Sequence, residues 1–271
     1  MRKFIICMAV IMTLMMIGGR ASAVPFGDGG AALQGVLNNI TVGPNPGVSS
    51  INVLTDALTD DRDSYWAIQG SGGSVSTIVI ELATWASYNT FGIYDLVNPL
   101  KMVQIFDGAA TTGSQAVLNI LADGSVRVNF VDTGIDFAGN AFGYYLDSRE
   151  GHPGWTGGIW YSDTSLNADQ QDHMAAYQGK GIDTIQILPY APGLWDTDEH
   201  ILAFEDLNSM HWGNQNGTND GYPEWSDVEP DFTDFVVIVE SVGPVPEPAT
   251  LLLLGLGLIG VAGLNRKKFM G

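Results

Sequence analysis

The chain has 271 residues, enough for one large domain or two small ones and too many for a mini-protein that needs staples. Acids outnumber bases 30 to 11 for a net charge of -19, which excludes a nucleic-acid binder built on clustered Lys and Arg. Hydrophobic residues make up 45% of the chain, so this acidic sequence still folds around a core.

Residues 1–23 have the layout of a secretory signal. Arg2 and Lys3 precede an apolar run, and Ala21-Ser22-Ala23 supplies the small-x-small pattern of a cleavage site. The single cysteine, Cys7, lies inside that run, so the rest of the chain has no disulfide and no thiolate chemistry. Leu33, Val36, Leu37 and Ile40 then recur at i, i+3, i+4 and i+7, which predicts one short amphipathic helix. The turn-rich "VGPNPGVSS" ends it. Residues 24–70 are expected to form an N-terminal segment of helix and turns, and 71–244 an acidic β domain.

Short apolar runs separated by Gly, Asn, Asp and Ser mark the strands. They are "TIVIELA" at 77–83, "TFGIYDL" at 90–96, "KMVQIF" at 101–106, "AVLNIL" at 116–121 and "SVRVNFV" at 125–131. The series continues with "FGYYL" at 142–146, "TIQILPY" at 184–190, "ILAF" at 201–204 and "FVVIVE" at 235–240. Asp123-Gly124 is a hairpin signal. "NADQQDHMAAYQ" at 167–178 suggests a short inserted helix. This pattern predicts an all-β fold, an antiparallel β-sandwich or jelly-roll-like domain.

The last segment, 245–271, is the most specific. Pro246-Glu247-Pro248 leads into the uncharged stretch Ala249–Leu264, and Arg266, Lys267 and Lys268 follow. The stretch falls just under the ~20 residues of a comfortable span, and positive-inside bias holds its basic tail in the cytoplasm. Gly255, Gly257 and Gly260 have the spacing of a dinucleotide fingerprint, but they sit in this apolar stretch and not between a strand and a soluble helix. Motif, span and tail in this order resemble the PEP-CTERM sorting signal of Gram-negative bacteria. The resemblance implies transient inner-membrane anchoring, processing by an exosortase, and delivery to the cell surface or to the exopolysaccharide matrix of a biofilm.

The body also resembles a family. Thr90–Asp95, Phe142–Leu146, Tyr161-Ser162-Asp163, Leu202–Leu207 and Asp231–Val237 follow the order seen in the bacterial extracellular domain of unknown function 4114. That resemblance spans roughly 85–240. It implies an extracellular β domain and no particular reaction.

No metalloprotease helix, nucleophile elbow, P-loop or cysteine nucleophile is present, so a non-enzymatic protein is expected. His152, His173, His200 and His211 are scattered, without ligand spacing. The acids are better suited to calcium, which takes six to eight oxygens from Asp- and Asn-rich loops. The candidate ligands are Glu205, Asp206, Asp220, Asp227, Glu229, Asp231 and Asp234. The bland alternative is a solvated acidic surface. Asp60-Asp61-Arg62-Asp63 is a second acidic knot, read as a solvated turn. Trp155 and Trp212 are candidate sugar-stacking rings in loops, and they keep open the alternative of a carbohydrate-binding module or carbohydrate-active enzyme acting on matrix polysaccharide.

Overall fold

The computed structural model describes residues 24–70, 73–80, 86–149, 157–209, 212 and 230–245. The sorting motif Pro246-Glu247-Pro248, the expected signal peptide at 1–23, Asp220, Asp227, Glu229, Trp155, His152 and His211 lie outside the described residues. In chain order the first elements are α1 (Ala31–Ile40), β1 (Thr41–Gly43), the single-turn α2 (Asp60–Asp63), β2 (Trp66–Ile68) and β3 (Ser74–Ile80). Then come β4 (Thr90–Asp95), β5 (Met102–Phe106), β6 (Gln115–Ile120), β7 (Ser125–Val128), β8 (Val131–Asp136) and β9 (Ala141–Asp147). The last are β10 (Ile159–Tyr161), β11 (Met174–Gln178), β12 (Thr184–Ile185), β13 (Gly193–Leu194), β14 (Glu199–Phe204), β15 (Phe235–Glu240) and β16 (Val242–Pro244).

Two antiparallel sheets face each other as a β-sandwich. One runs β16-β2-β9-β4-β5 with β10 added on β9; the other runs β11-β14-β15-β3-β6-β7-β8. Between them lies the larger core. Trp66, Phe91, Phe106, Phe142 and Tyr144 from the first sheet meet Leu118, Leu202, Phe204, Phe235 and Val237 from the second. Phe91 stacks on Phe235 at 5.0 Å and on Tyr144 at 5.5 Å, so an aromatic cluster welds the layers.

The second sheet is buried on its other face as well. Tyr177, Ile201, Ala203, Val236 and Ile238 there pack against Leu33, Leu37 and Ile40 of α1, with Ile185, Trp195 and Phe232. This explains why β14 and β15 read as unbroken apolar runs, since each of their faces meets protein. The predicted helical face is the one α1 buries. A three-stranded sheet, β1-β12-β13, completes that outer layer.

Three local expectations need correction. The segment 167–178 is a turn followed by β11, because pairing with β14 from Met174↔Phe204 to Gln178↔His200 overrides the helical preference of its alanines. "SVRVNFV" is not one strand. Asn129 and Phe130 have φ of 52° and 66° and make a two-residue turn, so β7 folds back as β8 with Val128↔Val131 paired. Only Thr184–Ile185 of "TIQILPY" pairs in a sheet, since Pro189 has no N–H to give a ladder.

The two motifs at 90–95 and 142–146 owe their glycines to packing. Gly92 lies opposite Tyr145, and Tyr94 opposite Gly143, across the β4–β9 ladder. A Cβ at Gly143 would sit 2.1 Å from the Tyr94 ring, and one at Gly92 would sit 2.7 Å from the Tyr145 ring. Each tyrosine lies over the bare backbone of its partner strand.

Candidate metal centre

β14 and β15 are neighbours, paired in register from Glu199↔Glu240 to Phe204↔Phe235. Glu205 and Asp206 therefore leave β14 where Asp234 enters β15, at one end of the sandwich. Glu205, Asp206 and Asp234 bring one carboxylate oxygen each to within 4.8 Å of one another. Glu205 and Asp206 are buried and Asp234 is half-buried.

The surroundings hold this group in place. Asp206 donates its backbone N–H to Asp234 Oδ2 at 2.8 Å. Glu205 Oε1 accepts from the Leu207 N–H at 3.0 Å, and Oε2 accepts from the Asp231 N–H at 3.2 Å. The Asp206 carbonyl accepts from Trp160 Nε1 at 2.8 Å and from the Ser148 hydroxyl at 3.1 Å. Asn89 donates its amide nitrogen to Asp206 Oδ2 at 2.9 Å, while its own buried Oδ1 has no hydrogen-bond partner. An amide oxygen left without a partner is a donor of the kind a hard cation takes.

His173 closes the inner side. Nδ1 faces the Glu205 carbonyl at 3.1 Å and Nε2 faces the Asp169 carboxylate at 3.0 Å, so the ring is held from both sides. The ring stacks on Trp160 at 3.8 Å, with Trp212 tilted against it at 4.9 Å. Burial raises the Asp169 carboxyl, but hydrogen bonds from His173 and from the Ser209 N–H outweigh it and hold the group far below the carboxylate range. His173 thus supports the Glu205 backbone and the Asp169 carboxylate through its two ring nitrogens.

Electrostatics set the chemistry of this end. Burial pushes the Asp206 carboxyl up to about 6, against the lowering effect of Asn89 and Asp234. Asp231 is also raised, by burial and by the charge of Asp28. Oxygen-only donors with surplus negative charge fit a hard divalent cation and not a soft metal.

The predicted ligands distribute unevenly. Glu205, Asp206 and Asp234 converge. The Asp231 carboxylate accepts from Thr233 N and Oγ1 at 2.8 and 2.7 Å, so it caps its own turn while its N–H positions Glu205. Trp212 uses its Nε1–H on the Leu207 carbonyl at 3.1 Å and its ring on His173. Asn89, Trp160, His173 and Asp169 were not singled out as members of one site. Their places in sequence are far apart, and only the sheet pairings bring them together.

A family model for the PEP-CTERM protein-sorting motif matches residues 244–267. The match implies an exported protein processed by an exosortase. No curated protein and no solved structure matches the chain. The resemblance of the body to domain of unknown function 4114 receives no support from these comparisons.

Proposed function

We propose that this is a non-enzymatic protein of the cell surface or exopolysaccharide matrix, whose sandwich is held by calcium at Glu205, Asp206 and Asp234. The observation that carries this reading is the convergence of three carboxylates, two of them buried. A cation there relieves the mutual repulsion of the acids and ties β14 to β15. Bound only by the folded state, it stabilises by about 2.7 kcal/mol at a hundredfold excess over Kd.

Thermal melts of the full chain in millimolar calcium and in chelator test this. Calcium raises Tm by several degrees, and Asp206→Asn with Asp234→Asn removes the rise. Equal melts in both buffers, with no calcium by elemental analysis, defeat the reading. Intact-mass measurement of material from the producing cell addresses the sorting: neither residues 1–23 nor 249–271 remain on the surface form. The non-enzymatic reading predicts no turnover on matrix glycans.

One observation favours glycan binding as a second reading. An open cavity of about 780 Å³ is lined by Tyr88, Thr90, Gln104, Asp107, Asp147 and Arg149, with Tyr88 48% exposed. Hydrogen-bonding groups around one aromatic face suit a sugar ring. Pull-down with soluble glycans, lost in Tyr88→Ala, checks it.

A further inference from the structure

The cavity beside Tyr88 lies on the outer face of the first sheet, and strand alternation decides what lines it. Phe91 and Ile93 of β4 and Phe142, Tyr144 and Leu146 of β9 belong to the core. Thr90 and Asp147, partners across the β4–β9 ladder, therefore face outward. In β5 Val103 is buried and Gln104 exposed, so strict alternation would send Phe106 out and Asp107 inward. A bulge opposite Phe91 and Gly92 changes this. Ile105 and Phe106 both join the core, and Asp107 emerges into the cavity instead.

Close packing fixes the rim. The single 3₁₀ turn Ala86–Tyr88 lies against the turn that follows β5. A Cβ on Gly108 would sit 2.0 Å from the Ser87 carbonyl oxygen and 2.9 Å from the Tyr88 nitrogen. Tyr88 and Asp107 thus share one wall, and Asp107 Oδ1 accepts from the Ala109 N–H at 3.1 Å. Because β9 and β5 flank β4, Asp147 stands on the other side of Thr90. There Arg149 donates Nε to Asp147 Oδ1 at 3.0 Å and Nη2 to Asp147 Oδ2 at 2.7 Å, a two-point fork.

This lining selects a ligand by chemistry. Apart from Gly108 and Ala109, every residue around the cavity carries a hydrogen-bonding side chain, which suits a polyhydroxylated ligand. About 780 Å³ falls in the upper part of the ~300–1,000 Å³ range of ligand pockets, room for several sugar units. Arg149 is the one base in the lining, and Asp147 offsets its charge. Asp107 is left as surplus negative charge on a protein that is itself strongly acidic. Neighbouring sugar hydroxyls donate well to such a carboxylate, whereas a uronate or sulfate group meets repulsion.

We propose, building on the glycan reading of this cavity, that its ligand is a segment of several sugar units without acidic groups. Asp147 sets that choice by masking the charge of Arg149.

Isothermal titration of the full chain with soluble glucan and mannan hexasaccharides, their monosaccharides, and uronic acid hexamers tests both statements. A neutral hexasaccharide is expected to bind about tenfold more tightly than a uronate of equal length, and than its own monosaccharide. Asp147→Asn exposes the Arg149 charge while keeping an acceptor beside it, and it removes the preference over uronates. The replaced carboxylate faces outward, so a melt matching the parent protein shows that the variant folds. Tyr88-dependent binding that favours uronates, or equal affinity for monosaccharide and hexasaccharide, overturns the proposal and leaves the glycan reading standing. An undiminished preference in Asp147→Asn overturns the role of that residue. Absence of binding to every sugar defeats the glycan reading and this inference with it.

Discussion

Two acidic groups flank the start of β11, and they are built differently. On the β14 side, Glu205 and Asp206 are embedded in backbone N–H groups, Asn89, Trp160 and Ser148. On the outer edge, Asp63 and Asp172 each keep a buried oxygen with no partner. One strand start serves both, since His173 faces Glu205 while its neighbour Asp172 belongs to the other group. The difference teaches that burial alone does not make a carboxylate expensive. The cost depends on whether the fold supplies donors, a counter-charge, or neither.

The largest perturbation removes the frame of the first group. Trp160 is 1% exposed, stacks on His173 and donates to the Asp206 carbonyl. Trp160→Ala is expected to cost about 3–5 kcal/mol in chemical denaturation. It also abolishes calcium stabilisation at Glu205, Asp206 and Asp234. Calcium stabilisation that persists undiminished in the folded fraction would separate this frame from the acidic group it surrounds.

A pH series in chelator is next. The Asp206 carboxyl is raised to about 6 and the Asp172 carboxyl to about 8. For a raised acid, the stabilising contribution is complete below the unfolded value near 4 and is lost as pH rises through the folded value. The metal-free protein should therefore lose roughly 1–3 kcal/mol between about pH 4 and pH 8. Calcium, by replacing the proton at Asp206, flattens the lower part of that fall. The part of the fall above pH 7 disappears in Asp172→Asn and remains in Asp206→Asn. A flat profile without calcium would remove the electrostatic basis of the comparison.

The smallest effect is at the N-terminal arm. Asp28 accepts from the Gly30 and Ala32 N–H groups, both at 2.6 Å, and so caps α1. Asp28→Ala should cost about 1 kcal/mol. Asp28→Asn keeps an acceptor for one of these two N–H groups while removing a charge that bears on Asp231. Calorimetric melts should place Asp28→Asn between the parent protein and Asp28→Ala, within about 1 kcal/mol of the parent. A larger loss would mean that the arm helps to hold the first group.

Some of this could be read without a structure. Strands β4, β5, β6, β9, β14 and β15 announce themselves because apolar side chains cluster within one short run bounded by turn residues. α1 does so through its 3.6-residue period, and Glu205, Asp206 and Asp234 through their places beside two such runs. The sorting motif at 244–267 is a linear text, read by an exosortase as sequence. β2, β10 and β16 are three residues each and too short to carry a period, while β11 looks helical by composition.

What only the tertiary structure decided is which polar atoms are buried and what meets them. Asp63 stands in a charged tetrapeptide that any sequence scale places in water, yet the pairing of residues 57–58 with β11 carries it into the interior. Asn89, Trp160 and His173 have nothing in their local sequence to join them to Asp206. Local runs encode elements because the forces that form them act between near neighbours. Burial, orphaned oxygens and converging charges arise between segments more than a hundred residues apart, as with Asn89 and Asp206, so they exist only once the sheets have paired.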